Sequence, residues 1–161
     1  MAHVRDWWKR GLEVRPCAAD DEVELLALFR EPHVRRFLLD DLVVDAAWVR
    51  TEIAASEARF AGGALGLWRA RVDGALAGFA GFRPFFEPPV LQLLYGVATP
   101  FRGSGLARAM ASHAIAAGFA AGLSQIRASV DPPNEASLRL LAALGFRELA
   151  RDTHVHFALP R

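Results

Sequence analysis

One cysteine, one tyrosine and almost no net charge set the first limits on this chain of 161 residues. With Cys17 alone, no disulfide framework can form within the chain, so a reducing cytoplasm suits it, and a lone cysteine serves more often as a small core residue than as a nucleophile. A formal charge of +1 gives the surface as a whole no electrostatic pull on nucleic acid. No Gly-Lys-Ser or Gly-Lys-Thr occurs, which removes the Walker-type nucleotide triphosphatases. The first ten residues place Arg5, Asp6, Lys9 and Arg10 around Trp7 and Trp8 and lack the apolar core of a signal peptide. Residues 109–126 carry no formal charge and reach the length of a membrane span, but Ser112, His113, Gly118, Gly122, Ser124 and Gln125 interrupt them, so a buried helix is expected there.

What is present is a large apolar fraction, 53%, enough at this length for one domain over residues 1–161 with 1–10 as an N-terminal extension. Charge is unevenly spread. Residues 1–60 hold 9 basic and 12 acidic side chains, residues 61–161 hold 10 and 6. A basic second half and an acidic first half suit a polyanionic ligand and a cationic one respectively.

The chain is organised around Gln92 to Ala117. Leu93, Tyr95 and Val97 alternate with Leu94, Gly96 and Ala98 in an apolar run of strand length that Thr99-Pro100 stops. Tyr95 reads as packed in that strand. After a turn bearing Arg102, Gly103, Ser104 and Gly105, the positions Leu106, Met110, Ala114 and Ala117 recur at helical spacing. Glycines at a strand-to-helix turn let backbone come close to a ligand, and the unpaired N–H groups of the first helical turn make an anion site. A dinucleotide fold is excluded because its third glycine would fall at Arg108 and no acidic residue follows before Asp131.

Around this centre the pattern predicts a strand at Leu12–Val14 and a helix capped by Asp20 or Asp21. A short helix with Val34, Phe37 and Leu38 follows, then an Asp45-capped helix over 46–60. Leu65–Val72 and Ala75–Phe82 form a hairpin through Asp73-Gly74, with Gly78 and Gly81 marking close backbone approach, and residues 84–89 form a loop. Gln125–Val130 is a strand, Asn134 caps a helix ended by Gly145, and Phe146–Leu149 with Val155–Leu159 make a last hairpin. The sum is a mixed α/β (α+β) fold, a mostly antiparallel sheet of about seven strands flanked by helices. Asp40, Asp41 and Asp45 read as loop carboxylates and a cap, and His154 with His156 lacks a third ligand, so no metal is expected.

Arg102-Gly103-Ser104-Gly105-Leu106-Ala107 resembles the pyrophosphate loop of the GNAT superfamily of acyl-CoA-dependent N-acetyltransferases: Gln or Arg, two residues, Gly, one residue, then Gly or Ala. A second match, Asn134-Glu135-Ala136-Ser137 followed by Leu144-Gly145-Phe146, resembles the family's last helix and the strand after it. The likeness covers Gly11 to Leu159 and is similar to the branch that acetylates the N-termini of ribosomal proteins.

The resemblance implies an N-acetyltransferase that moves an acetyl group from acetyl-CoA to a primary amine, a peptide N-terminus or a small amine, in a ternary complex. A catalytically silent CoA-binding sensor or scaffold is the alternative. It implies no nucleic acid or membrane partner and leaves room for a homodimer. Arg102, Gly103, Ser104, Gly105, Leu106 and Ala107 would hold the pyrophosphate, Val97 and Thr99 the pantetheine arm, and Asn134 the arm's other side. Two positions depart from the family pattern. Leu141 stands where many relatives carry a tyrosine, which makes Ser137 the candidate proton donor to the thiolate. Gln92 stands where a glutamate is common, leaving as proton acceptor Glu87, a water chain, or an amine that arrives neutral.

Overall fold

The computed structural model describes residues 4–161. The first three residues of the N-terminal extension lie outside it. Seven strands and five α-helices follow in the order β1 (Leu12–Pro16), α1 (Glu22–Arg30), α2 (Pro32–Leu38), α3 (Ala46–Ala61), β2 (Leu67–Val72), β3 (Ala75–Phe85), β4 (Val90–Val97), α4 (Leu106–Ala120), β5 (Gln125–Val130), α5 (Glu135–Ala143), β6 (Arg147–Arg151) and β7 (Val155–Pro160). All ladders are antiparallel, and they form two sheets, β1-β2-β3-β4 and β5-β7-β6.

Local chemistry accounts for most of these boundaries. Asp73 and Gly74 both take positive φ (51° and 79°), the turn whose twist matches a two-residue hairpin. Asp45 caps α3 by accepting from Trp48 N at 2.8 Å, and Asn134 caps α5 by accepting from Ser137 N at 3.3 Å. The expected cap of α1 is corrected: Asp21 stands at the N-cap position, but its carboxylate turns inward to accept from Ala18 N at 2.9 Å. Gly78 does face a close approach, since a Cβ there would lie 2.7 Å from Gly96 O.

The loop expected over 84–89 shrinks to a four-residue turn, because β3 runs on through Pro84 to Phe85. Proline is tolerated there for a register reason. Pro84 faces Leu91 on β4 between hydrogen-bonded pairs, and on its other side β2 has already ended opposite Gly81, so no partner misses its N–H.

Two apolar cores sit on either side of the sheets. One gathers α1, α2 and α3 over Leu67, Leu76, Phe79 and Leu94; the other gathers α4 and α5 over Ala80, Phe82, Ala128, Val155 and Phe157. Leu106, Met110, Ala111 and Ala114 bury one face of α4 against β3, β4 and β5. That helix carries the chain from one sheet to the other. β4 and β5 come to lie beside each other with no ladder between them, and the cleft so opened positions the site.

Candidate active site

The facing edge of β4 is fixed by its pairing with β3. Ala98 N donates to Ala77 O, so in the alternation of an antiparallel ladder Leu93, Tyr95 and Val97 turn their backbone groups away from β3 and toward the cleft. A cavity of about 490 Å³ occupies this space, bounded by β4, β5, α2 and α5. Its lining includes Val97, Arg102, Gly103, Ala107, Asn134 and Ser137 from the expected site residues.

Beyond the end of β4 the turn has the form an anion requires. Gly103 and Gly105 take φ of 68° and 85°, and a Cβ on either would meet no protein atom within 4 Å, so the space before the turn is open. Trp7 Nε1 donates to Ser104 O at 3.1 Å, a carbonyl just outside α4, whose first helical bond runs from Ala109 N to Gly105 O at 3.1 Å. The N-terminal extension thus braces the turn. Ser104 Oγ donates to Phe101 O at 2.6 Å and accepts from Leu106 N at 3.3 Å. Among the described residues the N–H groups of Gly103, Gly105, Ala107 and Arg108 have no hydrogen-bond partner, and they stand at the positive end of the 15-residue α4.

Val97, which lines the cavity, and Thr99, which does not, are both held by the start of α2 and its N-cap residue. His33 Nε2 lies 2.8 Å from Val97 O, and Glu31 Oε2 accepts from both Thr99 N (2.9 Å) and Thr99 Oγ1 (2.6 Å). Glu87 lies in the exposed turn between β3 and β4 and does not line the cavity, whereas Gln92 is buried and does.

Tyr95 belongs to the site, which its place in an apolar strand concealed. Burial raises its phenol above the ordinary value, opposed by the nearby Ser137 hydroxyl, yet the two are not in hydrogen-bonding geometry and Tyr95 Oη is buried without a partner. The other side of the cleft holds the two histidines. His154 Nε2 lies 3.2 Å from Asp131 Oδ1; His156 Nδ1 lies 2.8 Å from Ser129 Oγ and its Nε2 3.0 Å from both oxygens of Asp152. The Phe86 ring stands edge-on to both imidazoles at 5.6 Å. Ser129, His154, Asp131 and Phe86 line the cavity. The alternation of His154 and His156 was the visible signal in the sequence, but their carboxylate and serine partners follow only from strand register.

No helix of the structure is long and apolar enough to cross a membrane. The cavity's one acidic side chain besides Asp131 is Asp40, which has no ion-pair or hydrogen-bond partner among the described residues. Phe37, Phe85 and Phe86 supply aromatic surface.

Solved structures share this fold. yncA of Salmonella typhimurium, solved with its cofactor acetyl-CoA, is 20% identical and superposes with a TM-score of 0.77 over 93% of this chain and 94% of its own. A ribosomal-protein-alanine N-acetyltransferase from Brucella melitensis is 22% identical with a TM-score of 0.75 over 92% and 99% of the two chains. A ribosomal-protein-S5-alanine acetyltransferase from Vibrio fischeri is 19% identical, also with 0.75, over 92% of each. No curated protein matches the sequence. The family model described as an acetyltransferase (GNAT) domain matches residues 11–147, and on that match the chain belongs to the GNAT acetyltransferase family.

Proposed function

We propose that the chain transfers an acetyl group from acetyl-CoA to a primary amine inside the β4–β5 cleft. One observation carries this reading: an unladdered cleft whose strand-to-helix turn leaves four N–H groups free and whose cavity joins apolar and aromatic walls to a few polar side chains, Asn134 and Ser137 among them. A pyrophosphate would be held by the N–H groups of Gly103, Gly105, Ala107 and Arg108 in the field of α4, with Arg102 beside it, while Ser104 and Leu106 shape the turn. Asn134 has its Oδ1 committed to capping, so its Nδ2 remains for the pantetheine arm. Backbone N–H groups on the free edge of β4 would polarise the thioester carbonyl. The amine nitrogen attacks the carbonyl carbon, the C–S bond breaks, and Ser137, with the Tyr95 phenol next to it, gives the thiolate its proton and regains one from the proton that the new amide nitrogen sheds through solvent.

The acceptor side favours an amine attached to an apolar or aromatic group, because Phe37, Phe85 and Phe86 line the same cavity as the carboxylate of Asp40. An α-amino group, with a pKa near ~7.7–8.0 against ~10.4 for lysine, is neutral in a far larger fraction at neutral pH. A peptide N-terminus or an amino-acid-like amine is the expected acceptor. The buried lone thiol of Cys17, pushed up to about 12 mainly by burial and then by Asp21, fits a cytoplasmic setting and takes no part. One observation favours the second reading, a silent CoA-binding module: the buried polar side chain that β4 turns into the cavity is Gln92, which cannot take the acceptor's proton.

Incubating the protein with acetyl-CoA and a panel of amines, with free thiol release as the readout, separates the two. Turnover led by α-amino acceptors with apolar side chains is expected. Acetyl-CoA binding by calorimetry without release on any amine would select the silent module.

A further inference from the structure

A protonated amine cannot attack a thioester, and β4 offers Gln92 where a carboxylate could have taken the proton. Glu87 does not line the cavity. We propose that Ser129, His156 and Asp152 form a relay that withdraws the proton from the acceptor's ammonium group, with Ser129 as the member that reaches the cavity. This rests on the acetyl-transfer reading above.

The geometry supplies each link. Ser129 and His156 are directly opposed in the β5–β7 register, so their side chains share one face of the three-stranded sheet. The opposite face, with Ala128, Val130, Val155 and Phe157, is core. Ser129 Oγ lies 2.8 Å from His156 Nδ1, and Asp152 accepts from Nε2 with both oxygens at 3.0 Å. An imidazole that donates from Nε2 to a carboxylate presents a bare Nδ1 to the serine, the arrangement that accepts a proton. Asp152 is itself held below the usual carboxylate range, first by the His154 backbone N–H and then by His156. It stays charged and steadies an imidazolium.

The other groups facing His156 leave the relay intact. The Phe86 ring comes from the β3–β4 turn, His154 is paired with Asp131, Arg127 lies two residues from Ser129 along the same face of β5, and β6 presents Ala150 opposite. The proton passes from the acceptor nitrogen to Ser129 Oγ as the Ser129 hydroxyl proton passes to His156 Nδ1. The neutral amine then attacks. The imidazolium loses its proton to water beside Asp152, whose side chain is 66% exposed.

A cross-strand Ser–His hydrogen bond could instead serve only the sheet, so the test needs readouts that a structural role would not move. His156→Asn and Ser129→Ala are compared with wild type by kcat/KM against pH, at saturating acetyl-CoA, with an α-amino acceptor. Both variants are expected to lose about 100-fold near neutrality and to recover most of it at high pH, where the acceptor arrives neutral. Acetyl-CoA affinity by calorimetry should hold. A loss that is the same at every pH overturns the relay. Nitrogen-15 NMR of the wild-type imidazole gives an answer without turnover: the Nε2–H tautomer is expected at pH 8, and the Nδ1–H tautomer overturns the proposal. Wild type inactive on every amine refutes acetyl transfer, and with it the role of the relay, even where the tautomer is as expected.

Discussion

Two polar assemblies divide the molecule, one under α1 and one beside the cleft, and they are built to opposite ends. Under α1, Asp21 and Arg69 are 0% and 1% exposed, and the Asp21 carboxylate meets Arg69 Nε at 3.2 Å, Arg71 Nη2 at 2.9 Å and Ala18 N at 2.9 Å. Arg71 reaches on to Glu24, which also accepts from Leu76 N, and Arg69 Nη2 reaches Glu13 at 3.0 Å. None of these residues lines the cavity. Beside the cleft the charges are sparse and the partnering incomplete: Tyr95 Oη, Asp40 and four turn N–H groups stand free, and the ionisable pairs are histidines. Under α1 the spare donors, Arg69 Nε and Nη1, are sealed in the core and away from the cavity, whereas the spare groups beside the cleft lie where a ligand can use them.

The sharpest way to break that contrast is Asp21→Asn. It removes the only charge facing Arg69 from within the core and leaves Arg69 with only the exposed Glu13 and Arg71 with only Glu24, which should cost about 3 kcal/mol in urea denaturation. Asp152→Asn, at an exposed carboxylate, should move the midpoint far less. Equal shifts in the two variants would mean that both assemblies are structural.

Gly105→Val attacks the other side. Valine at a φ of 85° carries about 1–2 kcal/mol of strain, and its side chain enters the open space before the turn. Acetyl-CoA affinity should therefore fall tenfold or more, about 1.4 kcal/mol, by calorimetry. Unchanged affinity would remove the turn from the site.

The sequence showed the ligand-binding half of this division better than the acid–base half. The glycine turn is legible because its chemistry is local: strand, positive-φ glycines and helix start are consecutive, and what it offers a ligand is its own backbone N–H groups. Asn134 and Ser137 are legible for the same reason, as a cap and the residue it caps. The members of the proton chain come from places far apart in the chain, Ser129 on β5, His156 on β7 and Asp152 in a turn, and only the β5–β7 register joins them. His33 and Glu31 escaped notice because a short helix with an apolar face gives no hint that its polar side will grip β4. The loop over 84–89 was overextended because Pro84 reads as a breaker, and its harmless place in the ladder depends on where β2 ends.

The finest test of the contrast is Glu24→Gln, at the rim of the α1 assembly. Glu24 is held below its ordinary value of 4.5, first by the Leu76 backbone N–H and then, against a desolvation that opposes it, by Arg71. A carboxylate with a depressed folded value contributes stability that is fully present above its ordinary value and is lost as pH falls through the folded one. Its side chain is 43% exposed, so solvent screens the pair with Arg71 and the contribution at pH 7 should be no more than about 1 kcal/mol. Glutamine can still accept from Leu76 N, so the variant isolates the charge. Urea midpoints of wild type and variant should differ slightly at pH 7 and converge as the pH is lowered past 4.5. A difference that persists unchanged at low pH would assign the effect to shape, and the α1 assembly would then owe less to its charges than its geometry indicates.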